Sequence, residues 1–131
     1  MNSYLLIDDE EVFNFIHSQI INMADPDATI TEIRSSNDAI SHLRANAADA
    51  GALPDVIFLD INMPEINGFE LLEELTPLEP TLAKKPHIYM VTSSLFESDR
   101  KRAESFSLLT GFKEKPITVA DIREIMDRLR G

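Results

Sequence analysis

The chain has 131 residues, 44% of them hydrophobic, with no cysteine and a formal net charge of -11 at pH 7. That is one domain's worth of sequence, able to bury roughly two thirds of the surface its unfolded form exposes, with disulfides and thiol chemistry excluded. The acidic balance argues against non-specific binding to nucleic acid or anionic membrane, and every apolar run falls far short of the ~20 residues that span a bilayer. The start Met1-Asn2-Ser3-Tyr4 lacks a basic region followed by an apolar one, so a soluble cytoplasmic protein with no membrane insertion is expected. The basic triplet Arg100-Lys101-Arg102 reads as a solvated helix face.

Tyr4 to Ile7 reads as a short buried strand that ends in three acids, Asp8-Asp9-Glu10. From Glu11 to Met23 the apolar positions Val12, Phe15, Ile16, Ile20 and Met23 fall at helical spacing, and Asp25-Pro26 closes the element. Ala28 to Ile33 alternates weakly and predicts a second strand. Ser36 or Asn37 is the expected cap of a helix that turns Ala39, Ile40, Leu43 and Ala47 inward. Asp55 to Leu59 is the third strand, and its apolar run stops abruptly at Asp60.

Pro64 and the pair Asn67-Gly68 then force a turn. Phe69, Leu71, Leu72 and Leu75 make a short helix that Pro77 and Pro80 prevent from continuing. His87 to Val91 is a fourth strand, closed by the hydroxyl cluster Thr92-Ser93-Ser94. Ser98 is the expected cap of a helix from Asp99 to about Phe106 or Leu109, whose apolar pattern is weak. Gly111 to Glu114 is a brief fifth strand before Lys115-Pro116. Thr118 caps a last helix with a stripe at Val119, Ile122, Ile125, Met126 and Leu129.

Strand and helix alternate five times, which predicts one domain over residues 1–131 with a parallel sheet covered on both faces. In such a sheet, ligands and chemistry sit at the C-terminal ends of the strands. If the first, third, fourth and fifth strands are neighbours, that edge receives Asp8, Asp9, Asp60, Thr92 and Lys115. Like charges roughly 4 Å apart in a partly screened site repel by about 4 kcal/mol per pair, so gathered acids ask for a cation. Oxygen ligands of this kind suit Mg²⁺, which binds through one or two carboxylates and takes further oxygens from a phosphoryl group. Asp60 then fits the part of a nucleophile toward phosphorus, with Thr92 donating a hydrogen bond to the product and Lys115 supplying a compact charge.

Four segments in order, Ile7-Asp8-Asp9-Glu10, Leu59-Asp60-Ile61-Asn62-Met63-Pro64 with Gly68, Val91-Thr92-Ser93 and Lys115-Pro116, resemble the receiver domain of two-component response regulators. The likeness spans Leu5 to Leu129 and is greatest to the single-domain, chemotaxis-type members. It implies a flavodoxin-like sheet of order 2-1-3-4-5 and a phosphoacceptor signalling domain rather than an enzyme with a substrate of its own. By resemblance, Asp9 and Asp60 contact Mg²⁺, Asp8 acts partly through water, and the backbone carbonyl of Asn62 completes the protein's share. Asp60 would receive phosphate from a histidine kinase or phosphotransfer protein. The Lys115–Pro116 bond is expected to be cis.

Phe112 matches the family's aromatic switch position. The resemblance implies that Thr92 moves toward the phosphoryl group, that the Phe112 ring rotates inward, and that the surface of the fourth helix, fifth strand and fifth helix changes for a protein partner. By the same resemblance, Asn62 and Ser94 occupy positions that tune dephosphorylation. Three departures stand out: Ser93 replaces the more usual Ala, Ser107-Leu108-Leu109 stands where a Gly commonly closes the fourth helix, and the linker Thr76 to Lys85 is long. Three other readings fit less well. A Mg²⁺-dependent hydrolase lacks its second Asp because Asn62 stands there, a flavin module lacks a glycine-rich phosphate cradle, and the intact acidic set argues against an adaptor that no longer accepts phosphate. His17, His42 and His87 share no metal-like spacing and read as surface or packing residues.

Overall fold

The short apolar runs become the strands of one sheet. The computed structural model describes residues 2–93 and 96–130. In chain order these are β1 (Ser3–Ile7), α1 (Glu11–Ala24), β2 (Thr29–Ile33), α2 (Ser36–Asn46), β3 (Val56–Asp60), α3 (Gly68–Leu75), a 3₁₀ turn (Thr76–Thr81), β4 (His87–Thr92), α4 (Glu97–Ala103), β5 (Leu109–Glu114) and α5 (Val119–Arg130). All pairings are parallel, as the alternating pattern predicts, and the strand order is β2-β1-β3-β4-β5, as the resemblance implies.

Side chains along a strand point alternately to opposite faces, so each inner strand feeds two cores. Leu5, Ile7, Ile57, Leu59, Ile88 and Met90 pack with Ile40 and Leu43 of α2 and with Leu71 and Leu72 of α3. Their neighbours Tyr4, Leu6, Val56, Phe58, Tyr89 and Val91 pack on the other face with Ile21 of α1 and with Ile122 and Ile125 of α5. Central strands buried on both sides read as continuous apolar runs, which is why β3 and β4 are so plain in the sequence.

Four local expectations are corrected. On α1, Val12, Phe15 and Met23 are exposed at 66%, 63% and 68%, whereas the buried residues are Asn14, His17 and Ile21. The helix turns a partly polar face inward because other elements supply hydrogen-bond partners for it. The α2 cap is Ser35, whose hydroxyl accepts from the Asp38 amide at 3.4 Å, one residue before the expected position. Helix α4 begins at Glu97 and ends at Ala103, and the Asp99 carboxylate accepts from the Phe96 amide at its start. Leu109 consequently belongs to β5, where it pairs with Ile88. Beyond Leu75 the α-helix stops, as Pro77 requires, but the chain stays coiled as a 3₁₀ turn whose Leu78, with Leu82 just beyond, packs on the core.

Candidate functional site

Each loop at the C-terminal sheet edge is shaped by its own residues. After β1, the Asp8 carboxylate accepts from the Glu10 amide at 2.9 Å, a tight turn that leads into α1. After β3, the Asp60 carboxylate accepts from the Asn62 amide at 3.3 Å. Glu65 then takes a left-handed φ of 67°, and Asn67 and Glu70 cap α3 reciprocally, side chain to backbone, at 2.9 and 3.0 Å. Gly68 is required by close approach: a Cβ there would lie 2.8 Å from the Asp60 carbonyl oxygen and 3.0 Å from the Ile61 Cα. The start of α3 is thereby pressed against the backbone that carries Asp60.

Among the described residues, Asp8, Asp9, Glu10 and Asp60 each bring a carboxylate oxygen within 4.8 Å of the others. Asp8 and Asp60 are buried, at 5% and 4% exposure, while Glu10 is exposed. The Lys115 ammonium lies 2.8 Å from Asp8, 3.6 Å from Asp60 and 3.8 Å from Glu10. Its nearest carboxylate is thus Asp8, with Asp60 next. The Lys115–Pro116 bond is cis. Thr92 is buried at the end of β4, one residue past the Val91 that pairs with Asp60, and its carbonyl accepts from the Lys115 amide at 2.9 Å.

Electrostatics follows from this crowding. Burial pushes the Asp60 carboxyl up to about 6, the Asp8 charge adds to the rise, and Lys115 and the Asn62 amide only partly oppose it. Burial alone would lower the Lys115 ammonium, but its hydrogen bond to Asp8 and the charge of Asp60 leave it raised. Four carboxylates face one ammonium, so the site is short of positive charge. The donors are all hard oxygens, and a small divalent cation is the ligand that such a set accepts.

Phe112 is half-buried on β5, opposite Met90 of β4. It lines a crevice of about 240 Å³ together with Thr92, Ser93, Arg100 and Lys113, so the site and the α4 side of the molecule share an open space. Ser94 lies outside the described residues. The structure adds residues that sequence reasoning did not assign to the site: Glu10, and on α1 the trio Phe13, Asn14 and His17. The Asn14 amide donates to the Asp8 carbonyl at 2.9 Å, and Lys115 lies over the Phe13 ring at 4.1 Å. Asn14, His17 and Ile21 stand at helical spacing, the one signal that could have placed two polar residues on the inner face.

A parallel sheet with clustered acids and one lysine at its C-terminal edge defines a class of phosphate-accepting signalling domains. A model of the response regulator receiver domain matches residues 4–127, and the chain belongs to that family. It is 32% identical to a two-component response regulator from Cytophaga hutchinsonii, whose crystal structure superposes with a TM-score of 0.83 over 98% of this chain and 96% of that one. It is 31% identical to a protein-glutamate methylesterase/protein-glutamine glutaminase of Nitrobacter winogradskyi, over 96% of this chain and 29% of that protein. A hybrid signal transduction histidine kinase L of Dictyostelium discoideum is 26% identical over 98% of this chain, which spans 7% of the kinase's length. Receiver domains are phosphorylated by histidine kinases or phosphotransfer proteins and generally bind Mg²⁺ at an acidic cluster, and this chain has such a cluster. No helix among the described residues is long and apolar enough to cross a membrane.

Proposed function

We propose that Asp60 is the phosphoacceptor of this receiver and that the molecule is a switch controlling a protein partner. One observation carries the reading: Asp60 is a buried carboxylate, raised to about 6, that closes a central strand with Lys115 at 3.6 Å. At neutral pH most of it is ionised, yet it is held where its charge is disfavoured, a suitable state for a nucleophile. One of its oxygens attacks the phosphorus of a phosphohistidine or an acyl phosphate. The new O–P bond forms as the donor's N–P or O–P bond breaks, and the electron pair leaves with the donor.

Asp8, Asp9, Asp60 and the carbonyl of Asn62 are the groups that would hold Mg²⁺. When bound, the ion supplies positive charge to the carboxylates and to the phosphoryl oxygens. Lys115 then exchanges its partnership with Asp60 for one with the phosphoryl group, and the Thr92 hydroxyl donates to a phosphoryl oxygen. The crevice shared by Thr92 and Phe112 gives the ring room to turn, so the surface of α4, β5 and α5 is the output face. Two states a few kcal/mol apart suffice for such a switch.

Incubation with acetyl phosphate and Mg²⁺ is expected to add one phosphoryl group to the intact protein and none to Asp60→Asn. A wild-type mass unchanged by either a small donor or a histidine kinase overturns the reading. Mg²⁺ at millimolar concentration is expected to raise the melting temperature, because it binds the folded cluster and not the unfolded chain. Capture of a protein by the beryllofluoride-treated form and not by the untreated form would identify the partner.

A further inference from the structure

The loop that carries Lys115 is tied to helix α1 by a histidine that the phosphoryl-transfer chemistry does not itself use. His17 is 3% exposed, and its Nε2 accepts the Ile117 amide at 3.2 Å, a hydrogen bond buried in the protein interior. Pro116 has no amide to offer, so Ile117 carries the first backbone donor after Lys115. One helical turn before His17, the Phe13 ring lies under the Lys115 ammonium at 4.1 Å, and the Phe13 and His17 rings are themselves 5.8 Å apart. Helix α1 therefore grips the loop at two points. Phe13 meets the side chain of Lys115, and His17 holds the backbone two residues on.

The acceptor at Nε2 must be unprotonated to work, and the site keeps it so. Burial lowers the imidazole to about 4, with Asp8 only partly opposing the effect and Lys115 adding to it. The proton of the neutral ring is then on Nδ1. A second strut runs from the same face, since Asn14 donates to the Asp8 carbonyl. Between them, Asn14 and His17 fix the two strand ends whose side chains meet at the 2.8 Å contact of Lys115 with Asp8.

Resting on the reading of Asp60 as phosphoacceptor, we infer that His17 is a positioning residue for phosphoryl transfer: through the Ile117 amide it holds the Lys115 ammonium where the incoming phosphoryl group needs its charge. Without that acceptor the buried Ile117 amide must find another, and the loop shifts to do so. Misplacement of a reacting group by about 1 Å can cost on the order of 100-fold in rate, so even a fraction of that shift is measurable.

The test is a double-mutant cycle on the rate of phosphorylation by acetyl phosphate at saturating Mg²⁺. His17→Leu is expected to slow the wild type about tenfold. In the Lys115→Ala background, which is expected to take phosphate through Asp60 at a reduced rate, it is expected to have no further effect. His17→Gln, whose Oε1 reaches as far as Nε2, should restore most of the rate, whereas His17→Asn, one bond short, should not. If His17→Leu fails to fold, the Gln and Asn variants run through the same cycle decide the matter. Equal slowing in both backgrounds, no slowing in the wild type, or a His17→Asn as fast as His17→Gln each overturns the positioning role while leaving Asp60 as acceptor. A wild type that takes no phosphate, by contrast, overturns the reading of Asp60 and this inference with it.

Discussion

Helices α3 and α4 have nearly the same length but are held in opposite ways. Of the eight residues of α3, Gly68, Phe69, Leu71, Leu72 and Leu75 are buried, and its start is locked by the reciprocal Asn67 and Glu70 cap. Of the seven residues of α4, only Ala103 is buried. A short helix has little stability of its own and depends on the face it buries. The contrast teaches that one neighbour of the acidic site is bolted to the sheet and the other rests on it. The link between them is thin: Arg102 pairs with Glu73 at 3.1 Å and lies over the Phe69 ring at 4.7 Å, and Phe69 also meets Phe106.

The comparison predicts a graded set of outcomes. The largest is Leu72→Ala, where a side chain with no exposed surface is cut away; it is expected to cost about 2–5 kcal/mol in urea unfolding. Gly68→Ala comes next, because its Cβ would meet the Asp60 carbonyl oxygen at 2.8 Å; overpacking of roughly 1–3 kcal/mol is expected, with phosphorylation slowed by displacement of Asp60. At the small end, Arg102→Ala on α4 should change stability by less than about 1 kcal/mol, since its ion pair is exposed. An Arg102 effect as large as that of Leu72 would break the comparison.

Between these limits stands Asp60→Asn, which tests the electrostatics. Burial raises the folded-state carboxyl to about 6 from 3.8, so the folded protein holds this proton more tightly than the unfolded chain does. The contribution of Asp60 to stability is fully present below about pH 4 and is lost as pH rises through 6. Asp60→Asn should therefore match the wild type near pH 4 and exceed it at pH 7 by on the order of 1 kcal/mol, part of the gain being offset by the lost pairing with Lys115. His17 slopes the other way. Burial lowers it to about 4 from 6.5, so its contribution is present above pH 6.5 and is lost as pH falls toward 4. Melting curves of the two variants across pH 4 to 7 separate the opposing slopes.

The legible parts of the sequence are those where one physical cause dominates. Val56 to Leu59 is buried on both faces, so its composition alone marks it as a central strand and Asp60 as its end. Helix α3 is legible for the same reason. The face of α1 is not, because Asn14 and His17 are buried only by virtue of the Asp8 carbonyl and the Ile117 amide, groups six and 100 residues away in the chain. Nothing local to α1 announces those partners, whereas Val12, Phe15 and Met23 advertise an apolar stripe that stays exposed. Helix α4 is obscure because it buries almost nothing, so no apolar period sets its ends. The start of β5 at Leu109 is fixed by pairing with β4, a non-local cause.

The position of Asp60 along β3 has a consequence for amide hydrogen exchange. Leu59 pairs with Ile7 of β1 and Met90 of β4, whereas Asp60 pairs only with Val91 on the β4 side. Leu59 is therefore flanked by paired strands on both sides, whereas one edge of Asp60 already faces the loops. Protection from exchange is expected to fall off beyond Leu59, where the Asp60 carboxylate stands with paired strand on one side and loop on the other.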